Sequence, residues 1–394
     1  MTTLLHMRFI FTGLGGDVMA EFLFWALVAL IIYIYFGYPA MLGVLSHVKA
    51  RRPPERGYTP AVTLIIAAHN EEKIIGKKIE NVLSQDFPKD RLQVVVASDA
   101  STDGTNEIVR GYCGRGVELY DQKEHRGKSA ALNHIVGNLA RGEIVVFNDS
   151  TTILEKDAVK NICRHFLDEK VGAAAARLVF RRIEGSAIAG NHGLYWRYEE
   201  FLRKAEGRAG YLPFVSGAFY AIRKRLYTRV PADMPDDSVS PLGVYRQGRT
   251  VVYAEDSLAY ETGAEDPSGE FRIKTRGIVR ELTSIYHFRE LLNPLKYPAL
   301  SLVLVSHRLL RWSVPFFLIV IFLDSLYLRG HLLYGVFLWT QVIFYLIALC
   351  GLMSRGNIRV VSLASYFSLV NTAALWAIIQ YLCGERRSTW KPER

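Results

Sequence analysis

Polar residues recur where short β-rich runs of the sequence end. AVTLIIAA is followed by His69-Asn70-Glu71-Glu72, LQVVVAS by Asp99, and EIVVF by Asn148-Asp149. In open parallel sheets, ligands bind outside the carboxyl ends of the strands. We therefore expect the side chains of these three segments to line a binding site.

Asp99 opens the segment Asp99-Ala100-Ser101-Thr102-Asp103-Gly104-Thr105 directly after a strand-like run. A carboxylate there can accept a hydrogen bond from the N3–H of a uracil ring. Ser101 or Thr102 can cap the next helix, and Asp103-Gly104 suits a turn. The same residues therefore also fit a strand–turn–helix connection with no ligand.

Asp149 and Lys128 could together bind a diphosphate. A carboxylate at the end of a buried strand needs a partner, and a divalent metal on a diphosphate would supply one. Arg126-Gly127-Lys128 opens the preceding helix, where basic side chains favour a phosphate. The alternatives are an Asp149 that caps a helix at 155–168 and a solvated basic turn.

Asp236 and Asp237 lie side by side in the polar segment PADMPDDSVSP. Adjacent carboxylates repel each other, which raises one pKa, and a raised carboxyl pKa suits a general base. An acidic surface turn is the alternative. Four basic residues follow further along the chain: Arg272, Lys274, Arg276 and Arg280. They could neutralise a leaving diphosphate or bind anionic lipid headgroups, and the two roles do not exclude each other.

The region from 58 to about 280 alternates β-rich runs with helical stretches of 3.6-residue periodicity. This alternation predicts an α/β domain with a mainly parallel sheet and helices on both faces. The sheet would bring the strand-end residues described above to one edge.

The composition narrows the choice of partners. Of the 394 residues, 50% are hydrophobic and 22% are charged, which excludes intrinsic disorder. The net charge of +10 fits an anionic membrane face or an anionic substrate. No zinc-finger spacing or RNP-like motif occurs, so nucleic acid is not expected. The four cysteines include no CxxC pair, which favours a reducing compartment for the middle domain.

Four apolar runs are long enough to cross a bilayer, which takes about 20 residues. They cover 22–48, 312–328, 332–353 and 360–383. Lys49, Arg51, Arg52 and Arg56 follow the first run and predict that the middle domain is cytoplasmic. With a cytoplasmic middle domain, four spans would place both termini outside the cytoplasm, whereas the basic C-terminal tail favours the cytoplasmic side. Either one of the four runs does not cross the membrane, or the tail departs from the positive-inside rule.

The segment 284–311 mixes apolar residues with His and Arg at helical spacing and contains Pro294 and Pro298. We expect it to lie in the membrane interface as an amphipathic segment. The alternative is a spanning helix with a polar lining.

The order of these features resembles the family 2 membrane glycosyltransferases, the relatives of cellulose, chitin, hyaluronan and poly-N-acetylglucosamine synthases. The resemblance covers residues 60–285, and SHRLLRW ahead of a span also fits. It is carried by ASDASTDGT, HRGKSAALN, EIVVFNDSTT, FVSGAFYAIRKRLY and MPDDSVSPLGVYRQGRTVVYAEDSLAYE.

The resemblance implies a GT-A glycosyltransferase domain over 58–283, on the cytoplasmic face of the cell (inner) membrane. Residues 1–57 would hold one transmembrane helix and a basic linker, and residues 284–394 the interfacial helix and the remaining spans. The reaction implied is inverting transfer from a nucleotide sugar, a UDP-sugar above all, to a glycan or lipid-linked acceptor. The other partner is the bilayer, and a homo-oligomer stays open.

The resemblance also assigns roles to residues. Asp237 matches the general base of the family's TED motif, and Asp149 the first Asp of its DxD metal motif. Arg276 matches the Arg of QxxRW on the donor side. Asn70, Glu71, Asp99 and Lys128 would bind the nucleotide sugar, while Trp196, Tyr198, Glu199 and Asp236 would lie on the acceptor side.

Two departures from the family pattern bear on function. Thr151 stands where DxD has its second Asp, so Mg²⁺ or Mn²⁺ would meet one loop carboxylate instead of two. Ile273 and Gly277 replace the Gln and Trp of QxxRW. The missing Trp favours a limited transfer over long-chain polymerisation.

Three other functions are alternatives. One is a glycolipid or polyprenol-phosphate glycosyltransferase, and another is a catalytically inactive GT-A scaffold in the membrane. The third is a transporter, for which four spans with few intramembrane charges offer little translocation path.

Overall fold

The fold is built on one sheet. The computed structural model describes residues 2–48, 57–181, 192–262, 267–353 and 359–385, and eight strands of this part form the sheet in the order β3-β2-β1-β4-β7-β6-β8-β5. The strands are β1 (Val62–Ala68), β2 (Leu92–Asp99), β3 (Val117–Gln122), β4 (Ile144–Asp149), β5 (Ile153–Leu154), β6 (Val171–Arg181), β7 (Phe219–Arg223) and β8 (Thr250–Thr262).

Helices cover both faces of the sheet and extend beyond it. They are α1 (Thr2–Ile32), α2 (Tyr38–Val48), α3 (Ile75–Leu83), α4 (Thr105–Arg110), α5 (Lys128–His134), α6 (Ala158–Arg164), α7 (His192–Ala209), α8 (Asp236–Arg246), α9 (Pro267–His287), α10 (Pro298–Val303), α11 (Leu310–Tyr327), α12 (Leu332–Met353) and α13 (Arg359–Leu382). Turns of π-helix join α1 to α2 and α10 to α11.

The sheet is mainly parallel, as the strand–helix alternation predicted. β1, β2, β3 and β4 run parallel, and β8 is parallel to β6. The remaining pairs, β4 with β7, β7 with β6 and β5 with β8, are antiparallel. In register, Ala67 of β1 lies beside both Ala97 and Asp149. The segments that follow β1, β2 and β4 therefore leave the sheet at the same edge.

Each face of the sheet has its own apolar core. All seven residues of β1 are buried. Ile65 joins one hydrophobic cluster, while Leu64 and Ile66 join the other. Side chains of a strand alternate between its two faces, so a continuous apolar run belongs to a strand that is covered on both. This covering forces polar groups toward the strand ends.

Four helical stretches are long and apolar enough to cross a membrane, in agreement with the sequence. They are Gly16–His47, Pro298–Tyr327, Leu332–Leu352 and Val360–Leu382. Many of their large apolar side chains are exposed, for example Phe22 and Trp339. An apolar surface of this extent needs lipid or a partner to cover it. The basic tail, residues 386–394, lies outside the described residues.

The segment 284–311 is not one interfacial stretch. Its first part ends α9 and continues into a 3₁₀ turn over Arg289–Leu292. From Pro298 it is helical without a break into α11, so its second part belongs to a candidate span. Pro298 stands in the first turn of the helix, where its missing N–H costs no hydrogen bond, so it starts the helix instead of interrupting it.

Helix α7 packs closely on β8. The backbone of Tyr253 lies so near Gly207 that a Cβ on Gly207 would sit 2.7 Å from Tyr253 N. Real Cβ atoms do not approach a backbone nitrogen so closely. A side chain at position 207 would therefore push α7 away from the sheet.

We expect Gly207→Ala to destabilise the protein by about 1–3 kcal/mol, because the added methyl group overpacks the α7–β8 contact. Thermal unfolding in detergent should show a Tm several degrees lower. Gly137→Ala is the matched control, since nothing lies within 4 Å of a Cβ at that position. Equal Tm values for the two variants would contradict the close packing of α7 on β8.

Candidate functional site

A cavity of about 240 Å³ opens at the carboxyl ends of the strands. Its lining includes four acidic and four basic side chains, so the formal charges balance. They are Asp149, Asp236, Asp237 and Glu261, with Arg126, Lys128, Arg276 and Arg280. All of these except Glu261, seven residues, were singled out from the sequence and thus share one cavity.

Different elements bring these residues together. Asp149 is the last residue of β4, and Lys128 is the first of α5. Asp236 and Asp237 form the first turn of α8, where carboxylates interact favourably with the helix dipole. The alternative, an acidic surface turn, does not apply, because the two residues begin a helix and Asp236 is buried. Arg276 and Arg280 lie one turn apart on α9.

Lys128 links two of the acidic elements. Its Nζ lies 2.8 Å from Asp149 Oδ1 and 3.5 Å from Asp236 Oδ1. Burial alone would lower the pKa of Lys128, but the carboxylates of Asp149 and Asp236 outweigh it and raise that pKa. The side chain is therefore an ammonium ion near neutral pH and carries a positive charge into the cavity.

The two adjacent aspartates have different surroundings. Asp236 is buried, and Tyr220 Oη donates a hydrogen bond to its Oδ2 at 2.9 Å. Asp237 Oδ2 accepts a hydrogen bond from Gly217 N–H at 3.1 Å. Burial and the charge of Asp236 raise the pKa of Asp237 to about 7, against the opposing effect of Arg280. Asp237 can therefore gain or lose a proton near neutral pH, as a general base must.

Position 217 leaves little room for a side chain. A Cβ on Gly217 would lie 3.2 Å from Asp237 Oδ2 and 3.6 Å from Lys128 Nζ. The Asp237 carboxylate would have to shift by a few tenths of an ångström to accommodate it. Gly217 thus fixes the orientation of the candidate base.

Glu261 is a cavity residue that the sequence interpretation missed. It lies near the end of β8, and burial and the charge of Asp149 raise the pKa of its carboxyl to about 7. Behind it, Lys78 is fully buried, which lowers the pKa of its ammonium to about 7. In the sequence, Glu261 is noticeable only as an acidic residue within the mostly apolar stretch LAYET. That alone does not indicate that it lines a cavity.

A second group of predicted residues adjoins the cavity without lining it. Asp99 is buried at the end of β2. Its Oδ1 accepts hydrogen bonds from Gln122 Nε2 and, at 3.1 Å, from Arg126 N–H. Its Oδ2 makes no hydrogen bond, although His125 Nδ1 lies 2.9 Å away. Asp99 therefore has one oxygen without a hydrogen bond, buried beside His125, and Arg126 connects the residue to the cavity wall.

Asn70 and Glu71 tie the loop after β1 to the loop after β2. Asn70 Oδ1 accepts a hydrogen bond from Thr102 N–H at 2.8 Å, and Glu71 N–H donates to Thr105 Oγ1 at 2.8 Å. Asn70 and Ala100 have positive φ angles of 56° and 52°. Such backbone conformations persist only where surrounding contacts hold them, and they cluster at binding sites. The two residues therefore shape the surroundings of Asp99.

Two of the predicted acceptor-side residues of α7, Tyr198 and Glu199, contact the membrane helices and do not line the cavity. Glu199 forms an ion pair with Arg311, and His307 Nε2 lies 3.5 Å from it. Burial would raise the pKa of Glu199, but Arg311 outweighs it and holds that pKa well below the usual range. Tyr198 Oη donates to the carbonyl of Tyr35 at 3.3 Å. The side chain of Trp196 lies outside the described residues, and the acceptor role of this segment stays a prediction.

Comparison with known proteins matches part of this chain to a protein family. Residues 63–230 match the family model described as "Glycosyl transferase family 2". The "Probable glycosyltransferase YdaM" of Bacillus subtilis (strain 168) is 26% identical over 234 residues, which cover 55% of this chain and 54% of that protein. The "Beta-monoglucosyldiacylglycerol synthase" of Nostoc sp. (strain PCC 7120 / SAG 25.82 / UTEX 2576) is 32% identical over 126 residues, 31% of this chain and 27% of that protein. The chain therefore spans about half, or less, of the curated relatives that it matches.

A solved structure has the same architecture. The "Mannosyltransferase PcManGT from Pyrobaculum calidifontis in complex with GDP-Man and Mn2+" superposes with a TM-score of 0.70, at 23% identity, over 91% of this chain and 99% of that one. At this identity the likeness concerns the fold, including the helices that flank the sheet domain.

Proposed function

We propose that this chain, which carries a Glycosyl transferase family 2 domain in a GT-A fold, is a membrane-bound inverting glycosyltransferase. It moves a sugar from a nucleotide-sugar donor to a lipid or lipid-linked glycan acceptor. The observation that carries the proposal is the single cavity shared by Asp237, Asp149 and Lys128 at the carboxyl ends of the strands. The division into 1–57, 58–283 and 284–394, with the middle part in the cytoplasm under the cell (inner) membrane, belongs to the proposal.

Asp237 is the proposed base of the transfer. The acceptor hydroxyl lies against its carboxylate, which takes the proton while the oxygen attacks the anomeric carbon. The bond from that carbon to the diphosphate oxygen breaks on the opposite face, so the configuration inverts and the nucleoside diphosphate leaves. A pKa of about 7 keeps much of Asp237 ionised at neutral pH and still strong enough as a base. The hydrogen bond from Gly217 N–H orients the carboxylate.

Cationic side chains take up the charge of the leaving diphosphate. Lys128, Arg276 and Arg280 line the cavity on the side of α5 and α9. Fixed positive charge at a site of developing negative charge lowers the barrier. Asp149 offers carboxylate oxygens, the donor type that Mg²⁺ and Mn²⁺ prefer, so the residues fit a divalent cation. Such a cation, when bound, would neutralise further charge on the diphosphate.

Asp99 favours uracil as the base of the donor. Its Oδ1 is engaged by Gln122 and Arg126, and its Oδ2 lies 2.9 Å from His125 Nδ1, so a ligand would bond to Oδ2 alone and would replace His125 there. Uracil presents one ring N–H donor, N3–H, and one oxygen suffices. Guanine presents its N1–H and its amino group side by side, which a carboxylate binds well only with both oxygens. We therefore propose a UDP-sugar as the donor.

A lipid acceptor fits the surroundings of the cavity. Arg276 and Arg280 stand on α9. The exposed side chains of Tyr286, in the last turn of α9, and of Leu295 lead from there into the candidate span Pro298–Tyr327. An amphiphile at the bilayer surface can therefore bring a hydroxyl toward α9. A growing cell-surface glycan is the second candidate, and the absence of the family's Trp at Gly277 argues against a long polymer.

Asp237→Asn should lower turnover by about 10²–10⁴-fold, because general-base help is lost, while UDP affinity stays unchanged. In the wild-type protein, kcat/KM should rise with pH up to about 7 and then level off, because only the ionised carboxylate accepts a proton. Initial rates of nucleotide release from pH 5.5 to 8.5 check both. Asp90→Asn, on an exposed turn, is the control. Full activity of Asp237→Asn would exclude Asp237 as the base.

UDP should bind more tightly than GDP, because Asp99 has one oxygen to offer. Asp99→Asn should weaken UDP binding by about tenfold, since a charge-assisted hydrogen bond is replaced by a neutral one. Isothermal titration of both nucleotides measures the affinities. Asp121→Asn, an acidic residue of the neighbouring strand β3, is the control. Tighter binding of GDP would contradict a uracil donor.

The acceptor class is tested with membranes that contain the wild-type protein or Asp237→Asn. We expect a panel of radioactive UDP- and GDP-sugars to label extractable lipid from one UDP-sugar, in the wild-type sample only. Label that stays in the aqueous phase would assign a glycan acceptor instead. Neither label nor nucleotide release with any donor would mean an inactive scaffold and would overturn the proposal.

A further inference from the structure

The loop after β4 offers the donor only one carboxylate. It runs Asp149-Ser150-Thr151, and the side chain at position 151 is exposed and uncharged. Divalent cations at diphosphate sites are usually bound by one or two protein carboxylates together with phosphate oxygens and water. A second carboxylate would have to come from another element of the fold.

Glu261 lies where such a carboxylate is needed. Ile153 of β5 pairs with Tyr260 of β8, so Glu261 is the next residue along β8, beside the loop that carries Asp149. Glu261 and Asp149 line the same cavity. They are near enough for the charge of Asp149 to act on Glu261. The strand pairing between β5 and β8 therefore brings one acid from each side of the loop to the same space.

No side chain in the described part of the chain is in direct contact with the Glu261 carboxylate as a hydrogen-bond or ion-pair partner. The two nearby ammonium groups are engaged elsewhere: Lys128 with Asp149 and Asp236, and Lys78 with the carbonyl of Thr152. A partly buried carboxylate without a partner is costly unless a ligand supplies the missing charge.

The other acids of the cavity are already held. Asp236 accepts from Tyr220 and lies beside Lys128. Asp237 accepts from Gly217 and faces the acceptor as the proposed base. Both stand on α8, whereas Glu261 and Asp149 stand on the sheet. Glu261 is thus the acid of the cavity that the transfer reaction leaves without a task.

We propose that Glu261 is the second protein carboxylate of the metal–diphosphate site and replaces the acid that the loop lacks at Thr151. The cation is divalent, Mg²⁺ or Mn²⁺, and is held by Asp149 of β4 and Glu261 of β8 together with the diphosphate. The inference rests on the proposed function for the identity of the diphosphate. It differs from the pattern in which both carboxylates come from one loop.

The alternative explanation is that Glu261 serves only as the counter-ion of the buried ammonium of Lys78. The charge of Glu261 raises the pKa of that ammonium. The two explanations predict different effects of substitutions at Glu261. A counter-ion role would change thermal stability and leave cation affinity alone. A ligand role would change cation affinity, and an acid placed in the loop would restore it.

The test measures Mn²⁺ binding to the purified full chain by EPR in the presence of UDP, with neither sugar nor acceptor. We expect Glu261→Gln to weaken Mn²⁺ binding at least tenfold. In the double variant Thr151→Asp/Glu261→Gln, affinity should return to within about threefold of the wild-type value, since a loop acid takes over. Glu255→Gln is the matched control: it lies on the same strand but forms a surface ion pair with Arg208.

Each outcome bears on the inference. Wild-type affinity in Glu261→Gln overturns it, and a lower Tm with unchanged affinity assigns Glu261 to Lys78 instead. If Glu261→Gln does not fold, Glu261→Asp keeps the charge but shortens its reach, and weaker Mn²⁺ binding in that variant supports the ligand role while wild-type affinity overturns it. UDP-dependent Mn²⁺ binding that is indifferent to Glu261 contradicts this inference alone. A wild-type protein that binds no UDP contradicts both this inference and the proposed function.

Discussion

The site depends on the ammonium group of Lys128 among carboxylates. Its contacts with Asp149 and Asp236 join the end of β4 to the start of α8 across the cavity. Without a cation at that point, several acids would share a poorly solvated space and repel one another. Lys128 does not neutralise them all, since Asp237 and Glu261 both keep pKa values raised to about 7. The two carboxyl groups that can exchange a proton near neutral pH are thus those that Lys128 does not contact directly.

The sequence predicted the parts of the site that depend on local pattern. Asp99 and Asp149 were found because each ends a continuous apolar run, and such a run must be a strand covered on both faces. Glu261 was not, because its place is set by β8, which pairs with β6 from a distant part of the chain and shifts register between Ala176 and Arg177. A side chain that follows a register shift cannot be assigned to a face from alternation alone.

Burial of charge explains the other difference between expectation and structure. His and Arg among the apolar residues of 284–311 suggested an interfacial segment, because an isolated charge is expected to face water. His307 is buried and lies with its Nδ1 2.5 Å from Glu206, which also accepts from Tyr38 at 2.8 Å. The partners stand on α7 and α2, far away in sequence. A charged residue whose ion-pair partner is distant in sequence is therefore expected to be exposed. Burying the ion pair nevertheless costs much less free energy than burying the isolated charge.

Another ion pair joins the wall of the cavity to the candidate membrane helices. Arg280 lines the cavity, and its neighbour Glu281 lies 3.4 Å from Arg308 of the candidate span. Arg308 in turn stacks on Phe214, and Val215 N–H donates to the carbonyl of Asp237 at 3.1 Å. The proposed base is therefore held at a fixed place relative to a helix that is long enough to cross the bilayer. A soluble acceptor would not need Asp237 at a fixed distance from the bilayer. An acceptor confined to the bilayer surface would always reach Asp237 at the same distance from that surface.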